Sequence, residues 1–371
     1  MKVALVHDWL TNLGGGERVV DALGSAFPEA PIFTSVYNAN GISIFKDKQI
    51  ISSFLQRWPL SQSKHQLYPM LRRYAFESFD FSDYDVVISS SSAESKGIIT
   101  NTETIHFSYI HTPTRYYWSG YQDYLDSPGL GLFNPIAKFF LPKVVGTMRY
   151  WDYAAAQRPD YLIANSQTVK DRITKYYHRD SDIIFPPVEI DNFKTTTKTK
   201  DYYLVVSRLI PYKRVDLAVQ ACSELGRKLI VVGDGSELAR LRKLASKDIE
   251  FVTDADDRKV SDLYTNSRGF IFTAYEDFGI TPVEAMASGV PVITYGRGGA
   301  SESVVDKKTG IFFDQQTVGC LKKAILSFEK NNFSKDKIRK HSEKFSKDRF
   351  IKEIKDLINE KYESQHQNKA L

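Results

Sequence analysis

Residues 269–289, GFIFTAYEDFGITPVEAMASG, constrain the fold more than any other stretch of this chain. Positions 269–274 are apolar, aromatic or β-branched behind a glycine, which predicts a short buried strand. Residues 275–280 predict a loop with Gly279 in its middle. Thr281-Pro282-Val283-Glu284 has the order of a helix start, with Thr as cap, Pro at the first helical position and Glu three residues after the cap. Gly289 stops that helix after about two turns, and 290–294 predicts the next strand. Strand, loop, short helix and strand make the repeat of a parallel α/β sheet. Ligands of such sheets sit at the strands' carboxyl ends, beside helix N-termini. Glu276 and Glu284 are both at that end.

A chain of 371 residues has room for two such sheets, each with its own core. With 42% hydrophobic and 26% charged residues it is an ordinary globular composition, which excludes a disordered or fibrous chain. The net charge of +5 suits an anionic substrate or membrane surface better than a strongly acidic protein would. The apolar run 3–6 is broken at once by His7-Asp8, too short for a signal peptide. No uncharged apolar stretch reaches the roughly 18–20 residues that span a bilayer. The two cysteines, Cys222 and Cys320, stand far apart and predict reduced thiols. The expectation is a cytoplasmic protein.

From the start of the chain, 2–6 predicts a buried strand. Gly14-Gly15-Gly16-Glu17 then opens a helix with Val20, Leu23 and Phe27 on one face. Glycines there let backbone N–H groups approach a phosphate. Residues 32–36 predict the second strand. Positions 53–79 are basic and aromatic, either a solvated helical face or a surface for an anionic acceptor or lipid headgroup. A strand at 85–89 leads into the four-serine tract 89–92, expected as a polar loop facing the site. The strand 104–110 delivers His111 at its carboxyl end, held by the turn-forming Pro113. Residues 128–151, with Leu132, Phe133, Ile136, Phe139 and Phe140 among Lys138, Lys143 and Arg149, are amphipathic at helical spacing. Pro135 and Pro142 are expected to break them into pieces; core packing and insertion into a membrane surface are the two readings. Strands at 161–164 and 182–185 complete the first domain. Pro186-Pro187-Val188 predicts a stiff hinge, and KTTTKTK at 194–200 a linker.

The second domain opens with a strand at 202–206, then Ser207-Arg208-Leu209-Ile210-Pro211-Tyr212-Lys213. Arg208 and Lys213 stand at a strand-to-helix junction, where fixed cations could neutralise charge building on a departing phosphate. Strands at 229–232, 249–252 and 310–313 follow, with a flexible loop at 295–299 and a helix near 350–362. Asp254-Ala255-Asp256 is a D-x-D, but Asp256 and Asp257 suit helix capping, and no His/Cys/Asp spacing suggests a metal. Each feature has a plain alternative: Glu284 as a capping carboxylate, Glu276 as a solvated loop charge, His111 as a buried structural histidine, Arg208 and Lys213 as surface cations.

Together the stretches resemble a known family. EDFGITPVEAMASGVPVI resembles the E-x7-E signature of retaining glycosyltransferases of family 4. SRLIPYK resembles that family's S-R-L-x-x-x-K block, and the glycine triplet its GG loop. HTPTRYYW, residues 111–118, resembles the H-T-P-x-R-Y-x-W block of bacterial O-antigen mannosyltransferases. The resemblance implies a GT-B fold: two Rossmann-like α/β domains, 1–193 and 200–345, facing across a central cleft, with a C-terminal helix of about 350–371 packing back on the first. It assigns Glu284 to the ribose of a nucleotide-sugar, Glu276 and His111 to the donor sugar, and Arg208 and Lys213 to the diphosphate with Gly15 and Gly16. Gly279, Ile280, Thr281 and Arg115 join the substrate-binding set.

The activity so implied is transfer of a sugar, with retention, to a hydroxyl of a lipid-linked or oligosaccharide acceptor in cell-surface polysaccharide synthesis. GDP-mannose is the expected donor, an assignment resting on HTPTRYYW. No cofactor or metal is expected, no nucleic acid partner, and a peripheral contact with an anionic membrane at its inner face is foreseen. Standing beside it are a UDP-sugar donor, a nucleotide-sugar epimerase or hydrolase of the same fold, and a non-catalytic nucleotide-binding protein.

Overall fold

A computed structural model describes residues 1–126 and 134–369. The start of the amphipathic stretch, with Leu132 and Phe133, lies outside the described residues, as do 370 and 371. Contacts divide the chain into two compact units, 1–185 with 350–371, and 186–349.

Among the described residues, the first unit holds seven strands: β1 (Val3–His7), β2 (Ile32–Thr34), β3 (Ile50–Ser52), β4 (Val86–Ser91), β5 (Ile105–Ile110), β6 (Tyr161–Ala164) and β7 (Asp182–Ile183). All pair in parallel, in the order β3-β2-β1-β4-β5-β6-β7. Because successive side chains of a strand point to opposite faces, β1 serves two cores. Val3 and Leu5 join Val20 and Leu23 of the helix Gly15–Ala26. Ala4 and Val6 join Phe33, Phe76 and Phe81 on the other face. The helix Lys347–Lys369 adds Phe350, Ile354 and Ile358 to the first of these cores, all fully buried.

The second unit holds, among the described residues, β8 (Tyr203–Val206), β9 (Leu229–Val232), β10 (Ile249–Val252), β11 (Gly269–Phe272), β12 (Val292–Tyr295) and β13 (Gly310–Phe313). The sheet is again parallel, in the order β10-β9-β8-β11-β12-β13. Its core sets Tyr203, Val205, Val231, Ile271 and Ile293 against the helices Val215–Leu225 and Val318–Phe328. Both sheets reverse strand order once, between β1 and β4 and between β8 and β11. Such reversals open the crevice in which doubly wound sheets take ligands.

Several expectations are corrected. The serines at 89–91 continue β4, with all six strand positions buried. Their hydroxyls are satisfied sideways: Ser89 Oγ donates to Ser108 Oγ at 2.8 Å and meets His106 Nε2 at 2.9 Å. A polar run so paired has no need to leave the sheet. The helix after β11 spans Ile280–Ala287 and is capped by Gly279 at φ 89°, so Thr281 is not its cap and Glu284 is no capping-box residue. The glycine takes a positive φ and sits where a Cβ would press on the Phe272 ring at 3.3 Å. Helix Asn134–Ala155 runs unbroken, because Pro135 falls in its first turn and Pro142 is exposed, where water can take the bond that proline withholds. The 194–200 run is fastened to the second unit: Thr265 Oγ1 donates to the Lys194 carbonyl, Lys335 Nζ to that of Thr196, and Lys200 N–H to that of Asn266.

Candidate active site

In the second unit, the loop leaving β8 lies directly on the glycine turn after β9. A Cβ at Gly233 would fall 2.0 Å from the Ser207 carbonyl oxygen, and one at Gly235 2.3 Å from that of Leu209. Leu209 N–H donates to the Asp234 carbonyl at 2.8 Å, and Glu237 N–H returns to the Leu209 carbonyl at 2.9 Å. With Leu209 fully buried, the loop is fixed at its middle, between Arg208 and Lys213. Arg208 is exposed, its guanidinium 3.2 Å from the Tyr212 hydroxyl. Lys213 ends a short 3-10 turn, and its carbonyl accepts from Thr273 Oγ1 at 2.9 Å. Its ammonium forms an ion pair with Glu276, both side chains mostly withdrawn from solvent at 16% and 12% exposure.

The structure therefore brings Lys213 and Glu276 together across the reversal of strand order, since one follows β8 and the other β11. The 295–299 loop, expected as flexible, braces this pair. Gly299 N–H donates to the Glu276 carbonyl at 2.8 Å, and a Cβ there would lie 2.1 Å from the Asp277 oxygen. Glu284 is set apart in a drier environment, 8% exposed, where it accepts from the hydroxyl of the fully buried Tyr264 at 3.1 Å. Gly279, Ile280 and Thr281 form the start of that helix, where the first N–H groups have no partner within the helix itself. Asp256 accepts from Lys259 N–H at 2.7 Å as a helix cap. Among the described residues no cluster of His, Cys, Asp and Glu is arranged to hold a metal.

In the first unit, Gly15 and Gly16 form the first turn of their helix, and Glu17 Oε2 accepts from Gly14 N–H at 2.9 Å. A Cβ at Gly16 would meet His7 at 3.3 Å and His111 Nε2 at 3.6 Å. Both histidines depend on Ser90: its carbonyl lies 3.0 Å from His7 Nδ1, and its hydroxyl 2.8 Å from His111 Nε2. His7 Nε2 stands 3.8 Å from Glu17 Oε1. Burial disfavours the imidazolium, but the Glu17 hydrogen bond and charge, with Asp8 and the Ser90 carbonyl, outweigh it and raise the His7 pKa. Asp8, also buried, accepts backbone N–H groups of Ser92, Ala93 and Ser95 at 2.6, 2.9 and 2.8 Å and so fixes the turn after β4.

Sequence reasoning missed His7, Asp8, Glu17 as a partner of His7, and Ser90. The available signal was polar residues at the carboxyl ends of the two strands flanking the reversal of order. The HTPTRYYW block is largely an anchor. Thr114, Trp118 and Tyr177 donate to the buried Asp152 carboxylate at 2.6, 2.7 and 2.8 Å, and Lys96 Nζ pairs with it at 2.6 Å. Tyr116 joins the buried Arg72–Glu94 pair, its hydroxyl 2.9 Å from Glu94 Oε1. Arg115 is half-buried, with its stem against Gly120, where the missing Cβ leaves room.

Residues 188–366 match the family model described as glycosyl transferases group 1. Among curated proteins, the chain is 27% identical over 248 residues to an uncharacterized glycosyltransferase of Methanocaldococcus jannaschii, covering 59% of this chain and 62% of the relative. It is 28% identical over 166 residues to the O-antigen chain mannosyltransferase RfbU of Salmonella typhimurium, 42% of this chain and 46% of that one. A D-inositol 3-phosphate glycosyltransferase of Mycobacteroides abscessus is 27% identical over 178 residues, 41% and 40% of the two chains. The chain thus spans about two fifths to three fifths of the length of these relatives. Among solved structures, Anabaena HepE in complex with UDP and glucose superposes with a TM-score of 0.71 at 18% identity, over 97% of this chain and 99% of that one. Sucrose-phosphate synthase of Thermosynechococcus elongatus gives 0.72 at 14% identity, over 98% and 100%. The fold is that of the GT-B glycosyltransferases, two Rossmann-like units with parallel sheets.

Proposed function

We propose that this protein is a retaining glycosyltransferase that moves a sugar from a nucleotide-sugar to a hydroxyl of a lipid-linked or oligosaccharide acceptor in cell-surface polysaccharide synthesis. One observation carries the reading. At the strand-order reversal of the second unit, an ion-paired Lys213 and Glu276 stand in front of a helix that holds a nearly buried Glu284. Cations beside a carboxylate pair suit a diphosphate bearing hydroxylated groups at both ends, since carboxylates are strong acceptors from hydroxyls.

In this reading Glu284 takes the ribose hydroxyls and Glu276 the donor sugar, with Gly279, Ile280 and Thr281 lining the approach. Arg208 and Lys213 stabilise the negative charge that grows on the β-phosphate oxygen as its bond to the anomeric carbon breaks. Gly15 and Gly16 offer amides to the same diphosphate, and His111 and Arg115 serve the sugar. The acceptor oxygen bonds to the anomeric carbon on the face the phosphate leaves, and its proton passes to the departing phosphate oxygen. No protein nucleophile, cofactor or essential metal is part of this scheme.

GDP-mannose is the donor proposed, supported by the HTPTRYYW block and the likeness to RfbU. A UDP-sugar is the second reading, supported by HepE, whose structures contain UDP, UDP-glucose and glucose. Thermal unfolding with GDP, UDP, GDP-mannose and UDP-glucose, on wild type and Glu284→Ala, separates them, because a ligand of the folded state raises the midpoint. A GDP-selective shift lost in the variant supports the mannosyl reading. A UDP-selective shift moves it to the second donor, and no shift with any of the four overturns the nucleotide-sugar site. Nucleotide release that requires a lipid extract supports transfer, whereas sugar conversion or release without acceptor points to an epimerase or hydrolase.

A further inference from the structure

Thr273 follows β11 directly, three residues before Glu276, and is buried at 3% exposure. Its hydroxyl donates to the Lys213 carbonyl at 2.9 Å. Its own carbonyl accepts from Gln316 Nε2 at 2.7 Å, a side chain that arrives from beyond β13. The sheet runs β8-β11-β12-β13, so these two bonds stitch the loop after β8 to the loop after β13 through the end of β11. The carbonyl that Thr273 holds belongs to the peptide between Lys213 and Arg214. Arg214 has φ 51° and ψ 36°, a left-handed conformation that a non-glycine residue keeps only where its surroundings enforce it. It caps the helix Val215–Leu225 without a side-chain cap bond. The Thr273 bond fixes the plane of the peptide entering that residue, and so narrows the directions in which the Lys213 side chain can leave the backbone. At its far end the lysine ammonium pairs with Glu276. The segment 273–276 therefore holds Lys213 at its backbone and at its tip.

We propose that Thr273 is a positioning residue for Lys213, holding the lysine backbone in place while its ammonium exchanges the Glu276 carboxylate for the diphosphate of a nucleotide. The proposal rests on the diphosphate role of Lys213 given above. An ammonium on a flexible stem is a mobile point charge, and it serves a phosphate well only where the root of the stem is fixed. Glu276 cannot supply that fixity once a phosphate competes for the ammonium. The Thr273 bond can, because it does not involve the charge. The plainer alternative is a buried hydroxyl that has found an acceptor. That alternative entails a loss of stability with no preference among ligands.

Calorimetric titration of the full chain with GDP, UDP, GMP and UMP tests it, in wild type, Thr273→Val, Thr273→Ser, Lys213→Ala and the double variant Thr273→Val with Lys213→Ala. Thr273→Val keeps the shape of the side chain and removes its hydroxyl. It should weaken whichever nucleoside diphosphate the wild type binds by about fivefold, the worth of one net hydrogen bond, and leave the monophosphate within about twofold. Thr273→Ser should restore the diphosphate affinity. In the Lys213→Ala background the Thr273→Val change should cost no further affinity, because no ammonium remains to be placed. Gln316→Ala, at a half-buried position, should move the ratio of di- to monophosphate affinity in the same direction, and it carries the test if Thr273→Val does not fold. Equal losses for di- and monophosphate, undiminished diphosphate affinity in Thr273→Val, or the same loss with and without Lys213 would overturn the proposal. A loss confined to Lys213→Ala removes the role of Thr273 and leaves the diphosphate reading standing. A wild type that binds neither GDP nor UDP overturns both.

Discussion

The hydroxyl of Tyr264, itself fully buried, donates to the Glu284 carboxylate at 3.1 Å. The bond leaves one carboxylate oxygen oriented from behind and ties the helix Asp257–Asn266 to the helix Ile280–Ala287. Tyr264→Phe should therefore weaken nucleotide binding by about tenfold or more, the worth of one hydrogen bond to a charged group at about 1.5–3 kcal/mol. Glu284→Ala should remove it. Calorimetric titration of both variants checks the order. Equal losses would mean that Tyr264 maintains the whole site, and no loss in Glu284→Ala would remove the ribose role.

Lys213 and Glu276 should separate in their effects. Lys213→Ala is expected to weaken a nucleoside diphosphate at least tenfold while leaving a nucleoside monophosphate nearly unchanged, since one charge-assisted contact is worth about 1.5–3 kcal/mol. Glu276→Gln should retain nucleotide binding and lose transfer. The comparison of di- and monophosphate affinities decides the first point, and single-turnover transfer the second. A uniform loss for both nucleotides in Lys213→Ala would assign the lysine to shape alone.

Gly233 and Gly235 do structural service for Arg208 and Lys213. Gly233→Ala places a methyl against the Ser207 carbonyl at a distance no real contact allows, 2.0 Å, from a backbone φ of 132°. The expected cost is about 3 kcal/mol of stability, with nucleotide affinity lost because the Ser207–Leu209 backbone must move. Urea unfolding together with titration measures both. A stable variant with intact affinity would show that the loop tolerates displacement.

His7 should make the first unit's stability depend on pH. Its pKa is raised, with Glu17, Asp8 and the Ser90 carbonyl outweighing burial, and His111 is the other titratable ring near Gly16. A raised folded-state value means that the stabilisation is complete below the unfolded value of about 6.5 and is lost as pH rises through the folded one. Urea midpoints measured from about pH 6 to about pH 9 should fall for wild type and fall less for Glu17→Gln. Parallel profiles would show that the pair does not titrate as described.

The fold was legible because its signal is local. Continuous apolar strands broken by glycine, proline and serine turns gave β6, β9, β10 and β13 at their observed bounds. What failed depended on partners distant in sequence. Nothing near Ser89 reveals that Ser108 stands opposite it, so a polar run read as a loop. Nothing near Asp152 reveals that Lys96, Thr114, Trp118 and Tyr177 converge on it. Motif residues were found by spacing, but the side chains that orient them, Ser90 for His111 and Tyr264 for Glu284, became visible only when the sheets were assembled.

The helix Lys347–Lys369 supplies Phe350, Ile354 and Ile358 to a core otherwise built from residues 1–185. During synthesis the ribosome therefore releases most of the first unit long before the segment that closes its hydrophobic interior exists. The later-made unit, contiguous from 186 to 349, has all its residues first. The sheet of the first unit must wait, partly uncovered, until residues 350–358 have been translated. Truncation just before residue 350 would spare the unit 186–349 and leave the core of the first unit exposed to chaperones and proteases.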